Sequence, residues 1–192
     1  MTSSEGRSFI HFLCAWPAAV FLAAATAQRV PAATNPSREQ PARAAAILNV
    51  IAFTEWPAGA FAADDSPLVI GVLGQEPLVA LLDDFLGNEI WHGRKIALRR
   101  LTSVAEARSC HVVYIAQSEH ARWPAIAGQF ATLAILTVSY AENFAQHGGT
   151  VQLEMERNAV RPIVNLDVAR RSGVTISSKL LRLARVIGDR NP

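Results

Sequence analysis

Three short, largely apolar runs constrain this chain more than any other feature. They are Leu68-Val69-Ile70-Gly71-Val72-Leu73, Val112-Val113-Tyr114-Ile115-Ala116 and residues 132–138. Each is too short for a buried helix and rich in β-branched side chains, as a strand covered on both faces would be. Between them the period changes to that of a helix. After Pro77, the residues Leu78, Leu81, Leu82 and Phe85 line one face up to Gly87, and a second helical stretch over 119–130 is interrupted near Pro124. Residues 95–101 alternate as a half-exposed strand. Gly148-Gly149 opens a pair of strands, 150–155 and 160–166, turned at Glu156-Arg157-Asn158. A helix starts at Pro41, carries Ala45, Leu48, Ala52 and Trp56 on one face, and is stopped by Pro57 and Gly59. A last helix is predicted over about 177–187, with Leu180, Leu181, Ala184 and Ile187 on one face and Lys179, Arg182 and Arg185 on another. Strands that alternate with helices pair in parallel and carry their crossovers on the sheet faces. The expected fold class is therefore α/β: a single domain with a mostly parallel sheet, helices on both faces, and an antiparallel strand pair near the C-terminus.

The N-terminus is read separately from the domain. Arg7 precedes an apolar run over residues 9–25, broken only by His11 and Pro17, and Ala25-Thr26-Ala27 supplies small residues for a signal peptidase. We read 1–27 as a signal peptide cleaved before Gln28, 28–40 as a flexible Pro/Ala/Ser leader, and 41–190 as the domain. The alternative is an uncleaved anchor, although a run of 17 with an early Pro is short for a membrane span. Removing 27 of the 192 residues leaves 165 that are about 48% hydrophobic, which suffices for one core without staples. The net charge stays at +2 and is evenly spread, which excludes a nucleic-acid footprint. Only Cys110 remains of the two cysteines. In an oxidising compartment a lone thiol is either buried or pairs between chains. Its place at the head of an apolar run favours burial.

Catalytic groupings are not evident. Gly71-Val72-Leu73-Gly74-Gln75-Glu76-Pro77 lacks the third Gly of a dinucleotide fingerprint and the Gly-Lys-Ser/Thr of a P-loop, and Glu76 would repel phosphate. His92, His111, His120 and His147 are not at ligand spacing from one another or from Cys110. There is no Gly-x-Ser-x-Gly, and Asp64-Asp65 and Asp83-Asp84 read as solvated charge. We therefore expect no catalytic, cofactor or metal site. Phe53-Thr54-Glu55-Trp56-Pro57 differs, because an indole beside an acid and a Pro offers a large contact with a polar handle. Glu55 and Trp56 are the candidate partner-binding residues, with Arg182 on the basic stripe as a third. The carboxyl ends of the strands, near Gly74, Gln117 and Ser139, are where an open sheet of this kind would take a small molecule.

Six segments in order resemble a known family. Residues 44–57 resemble its opening helix with Phe-x-x-Trp-Pro, and 68–74 its first strand. Gly93-Arg94 with 95–101 and Cys110-His111 with 112–115 resemble its next two strands. Leu136-Thr137-Val138 with Phe144 and Gly148-Gly149, then Asn165 with Ser177-Ser178-Lys179-Leu180-Leu181, resemble its closing elements. The family is that of the YfiR/HmsC-like periplasmic proteins. The resemblance implies a periplasmic regulator that binds the sensor portion of an inner-membrane diguanylate cyclase, or a related sensor, and represses it. It also implies release by an outer-membrane-associated partner, a homodimer, no catalytic residues and no cofactor. A small-molecule-binding sensor is the alternative. The departure from the family is Cys110, which leaves no intrachain disulfide after processing.

Overall fold

A computed structural model describes residues 36–86, 89–156 and 159–188. The expected signal peptide and most of the expected leader lie outside the described residues. In chain order the elements are α1 (Pro36–Ala52), β1 (Thr54–Glu55), β2 (Leu68–Leu73), α2 (Leu78–Leu86), β3 (Ile90–Trp91), β4 (Arg94–Leu101), β5 (Val112–Ile115), α3 (Trp123–Ile126), β6 (Leu136–Ser139), β7 (Val151–Glu156), β8 (Ala159–Asn165), α4 (Leu166–Arg171), β9 (Thr175–Ile176), α5 (Ser178–Leu181) and β10 (Arg185–Ile187).

Eight strands form one sheet in the order β10-β8-β7-β6-β5-β2-β4-β3. The pairs from β4 across β2, β5 and β6 to β7 are parallel, as is β8 with β10. The antiparallel pair β7–β8 is the expected one, while β3–β4 adds a second at the far edge. The three apolar runs become β2, β5 and β6, each walled by neighbours on both sides. Along β5 the pleat sends Val112 and Tyr114 to one face and Val113 and Ile115 to the other. The first face is covered by α1 and α2 through Ile47, Ile51, Leu78 and Leu82. The second is covered by Trp123, Ile126, Phe130 and Phe144.

Three expectations are corrected. The opening helix runs from Pro36, not Pro41, so the last five residues of the expected leader are helical, and it ends at Ala52, so Trp56 does not lie on it. Pro57 disfavours helix at residue 56, Thr54 Oγ1 turns back to donate to Val50 O at 2.7 Å, and Thr54–Glu55 pair instead with Thr175–Ile176 in a separate two-stranded sheet. The stretch over 119–130 is not one helix but α3 flanked by 3₁₀ turns at Gln117–Glu119 and Ala127–Phe130. The last helix is a single turn, and residues 185–187 form an edge strand on β8. There, Val186 and Ile187 satisfy their backbone on a strand already in place, which an amphipathic pattern cannot reveal.

Candidate functional site

The chain leaves β2 on one side to reach β4 and returns on the other side to β5, so strand order reverses beside β2. The crevice outside the carboxyl ends of such strands is the usual ligand position in an open α/β sheet. Here it holds a buried polar network. The Glu76 side chain is only 3% exposed and meets Arg43 Nη2 at 2.9 Å. The Tyr114 hydroxyl donates to Glu76 Oε2 at 2.7 Å, and the Gln117 N–H reaches the same oxygen at 3.3 Å. The Arg43 guanidinium lies 4.1 Å from the centre of the Tyr140 ring, and Tyr140 donates its hydroxyl to Arg43 O at 3.0 Å. Burial first, and the Glu76 charge after it, pushes the Tyr114 hydroxyl far above its ordinary range. Burial also pushes Tyr140 up, so both phenols stay protonated and act as donors. Beside them Ser139 Oγ donates to Ile115 O at 2.7 Å and stands 3.3 Å from His120 Nε2. An open cleft of about 660 Å³ runs over Arg43, Gln117, His120 and Tyr140 toward Glu142 and Gln152. Glu76 therefore does not sit as a bare charge at the start of α2, because Arg43 neutralises it.

Arg43, Tyr114 and Tyr140 escaped the sequence reading, and Glu76 enters it only as a charge hostile to phosphate, because the four come from separate stretches of the chain. One signal was present: a phenol inside a doubly buried strand needs a hydrogen-bond partner. Gly74, Gln117 and Ser139 do fall at this end of the sheet.

Trp56 belongs to a different place. Its indole N–H donates to His111 O at 3.0 Å, and its ring meets Trp91 edge-on at 5.1 Å between centres. Phe61 stacks on His111 at 4.2 Å between centres, and the Arg94 guanidinium lies over the Phe61 ring at 4.1 Å. His111 Nδ1 accepts from Val69 N at 3.0 Å, so Nε2, 3.1 Å from Ala60 O, carries the proton. Burial lowers the His111 pKa, which keeps the ring neutral. Trp56 is half-buried in this cluster, while the adjacent Glu55 is exposed. Cys110 is buried, with Sγ so close to Gly71 that a Cβ there would overlap it and Leu101. Burial pushes its thiol up, so it remains a thiol. Arg182 is exposed after α5, and the α5 start is tied to the Phe53 segment by Ser177 N donating to Phe53 O at 2.9 Å. The structure thus brings Arg182 near Phe53, and Trp56 faces elsewhere. Among the described residues no group of three or more His, Cys, Asp or Glu side chains is placed to hold a metal ion.

A family model described as YfiR/HmsC-like matches residues 40–185. The chain belongs to the YfiR/HmsC-like family. Comparison with curated proteins returns no match. The family is a regulatory one, tied to diguanylate cyclase signalling in the periplasm. Among the described residues no helix is long and apolar enough to cross a membrane. The YfiR/HmsC-like segments have structural duties here. Gly93 adopts φ +82° in the β3–β4 turn, and Arg94 Nη1 donates to Ala63 O and Ser66 O at 2.8 and 2.9 Å. Thr137 and Thr150 exchange backbone and hydroxyl hydrogen bonds between strands. Gly149 leaves room for the Phe144 ring, which a Cβ would overlap. Asn165 caps α4, accepting from Val168 N at 3.1 Å, and donates to Ala145 O at 2.8 Å. What the YfiR/HmsC-like pattern marks is chiefly a scaffold.

Proposed function

We propose that the protein binds the periplasmic sensor portion of an inner-membrane diguanylate cyclase, or a related sensor, and holds that enzyme inactive. It would act by preferring the surface of the inactive state, which shifts the partner's equilibrium by the difference in affinity. The observation that carries this reading is the family match over 40–185, which takes in almost every described element. The exposure of Glu55 and Arg182 supports their part in the contact, with Trp56 offering the free side of a half-buried ring. Export by the segment 1–27, a homodimer, and release by an outer-membrane-associated partner complete the proposal. Deleting the gene in a strand that keeps the cognate cyclase should raise cellular cyclic di-GMP. An unchanged level overturns the reading.

The buried Glu76–Arg43–Tyr114–Tyr140 network favours a second reading, a small-molecule sensor at the carboxyl-end cleft. A preformed concave site with a few fixed polar groups is how small ligands are oriented. A thermal-shift screen with amino acids and vitamins should show stabilisation by a ligand, since binding to the folded state raises its melting point. A screen of those compounds without any shift counts against it. Both readings hold together if the ligand tunes repression.

A further inference from the structure

A second open groove, of about 1070 Å³, lies on the α1 side of the sheet between α1, the first half of β8 and the turn after α5. Its floor is apolar: Val50, Leu153 and Leu180 are buried, and Phe53 is half-buried beside them. At the rim Leu183 is 70% exposed, the most exposed large apolar side chain among the described residues. Next to it stands Arg182. Its neighbours Arg161 and Arg185 are held by Glu156 at 3.3 Å and Glu154 at 3.4 Å, whereas Arg182 has no carboxylate within ion-pair distance among the described residues. The backbone is open here too. β10 joins β8 only from Ile163 onward, so 159–162 has no strand on its outer side among the described residues. Asn165 N donates to Thr150 O on the β7 side. The alternation of an antiparallel ladder then points the N–H groups of Ile163 and Arg161 toward β7 and that of Val160 outward.

We propose that this groove receives a short extended segment of the repressed partner, laid beside β8 with apolar side chains over Leu183 and Phe53 and a carboxylate on Arg182. This rests on the regulatory reading above and names the surface that performs it. Charge selects the occupant. A second copy related by a two-fold axis would set this surface against itself, and Glu156, the carboxylate at this rim, is already paired with Arg161. A partner segment bearing an acid meets the unpaired cation and the open Val160 N–H together, the combination by which strand addition gains affinity from the backbone and specificity from side chains.

The test uses the mature full chain and the periplasmic portion of the cognate membrane cyclase, together with overlapping synthetic peptides tiled along that portion. Arg182→Glu and Leu183→Asp should each weaken binding at least about tenfold, with melting temperatures close to wild type because both side chains are exposed. Val160→Pro removes the outward donor and should weaken the same peptide, and a circular-dichroism spectrum confirms that this variant folds. Replacing the acid of the bound peptide with Lys should restore binding to Arg182→Glu. Arg108→Glu, on an exposed 3₁₀ turn elsewhere, is the control. Equal binding by wild type, Arg182→Glu and Leu183→Asp overturns the groove and leaves the regulatory reading standing. Failure of the wild type to bind, with unchanged cyclic di-GMP on deletion, overturns both. If Leu183→Asp turns a dimer into a monomer without altering cyclase binding, the groove belongs to a second copy and the proposal fails.

Discussion

His111 shows how one side chain ties sequence neighbours and distant loops together. Its Nδ1 accepts from Val69, its Nε2 donates to Ala60, its carbonyl takes the Trp56 indole N–H, and its ring stacks on Phe61. A proton on Nδ1 would remove the acceptor that Val69 N–H needs and would place a cation near Arg94. Burial lowers the folded-state pKa of this base below its ordinary value, so the unfolded chain binds the proton more readily. The stability that follows is complete above pH about 6.5 and is lost as pH falls below it, until the folded form also protonates. His120, lowered first by burial, acts in the same window. We expect His111→Asn to melt below wild type at pH 7.5, because it keeps an acceptor for Val69 but loses Ala60. Its further loss of melting temperature between pH 7.5 and 5.5 should be smaller than that of wild type. An equal loss would show that His111 does not carry this dependence. Gly149 acts by absence of a side chain. Gly149→Ala drives a Cβ into the buried Phe144 ring, which is itself packed against Trp123 at 4.4 Å between centres. Overpacking of this kind costs about 1–3 kcal/mol, readable as a lower denaturant midpoint.

At the scale of elements, the pieces fall into two groups. β2, β5 and β6 form wherever the chain supplies an unbroken β-branched run, since both faces of the sheet are buried. α1 and α2 form where a 3.6-residue apolar stripe can lie on that sheet. The short elements exist because a neighbour completes them. β1 needs β9, β10 needs β8, and α4 needs Asn165 both as its cap and as a strut to Ala145. Asn165→Ala should therefore cost more than a surface cap, which is worth about 1 kcal/mol. It also strips Ala145 O of its donor. Hydrogen exchange should show α4 opening before β8. Uniform loss of protection across both would argue that Asn165 stabilises the whole molecule and not this junction.

At the scale of the molecule, one sheet separates two cores. Ile47, Leu82 and Tyr114 belong to the first, and Trp123, Phe130 and Phe144 to the second. β2, β4 and β5 contribute side chains to both, so neither core can melt while the other stands. Heating should give one cooperative transition, with tryptophan fluorescence and far-ultraviolet circular dichroism coincident. Two separated transitions would mean that the cores are independent. The same arrangement puts the Arg43–Glu76 network at the carboxyl ends of the strands and leaves the Leu183 groove on the α1 side, along the first half of β8.

By itself the sequence determined the α/β class, the three central strands, the antiparallel β7–β8 pair and the family. These follow from local periodicity and from ordered short motifs, both of which can be read along the chain. It also placed Arg182 on the polar face opposite Leu180 and Leu181. Only the tertiary structure decided where Trp56 points, that residues 185–187 form a strand, and that Glu76 is neutralised by Arg43. In each case the outcome depends on a partner tens of residues away. A hydrogen bond or ion pair across that distance leaves no period in the sequence, because its two halves lie on different elements that meet only once the sheet has closed over its cores.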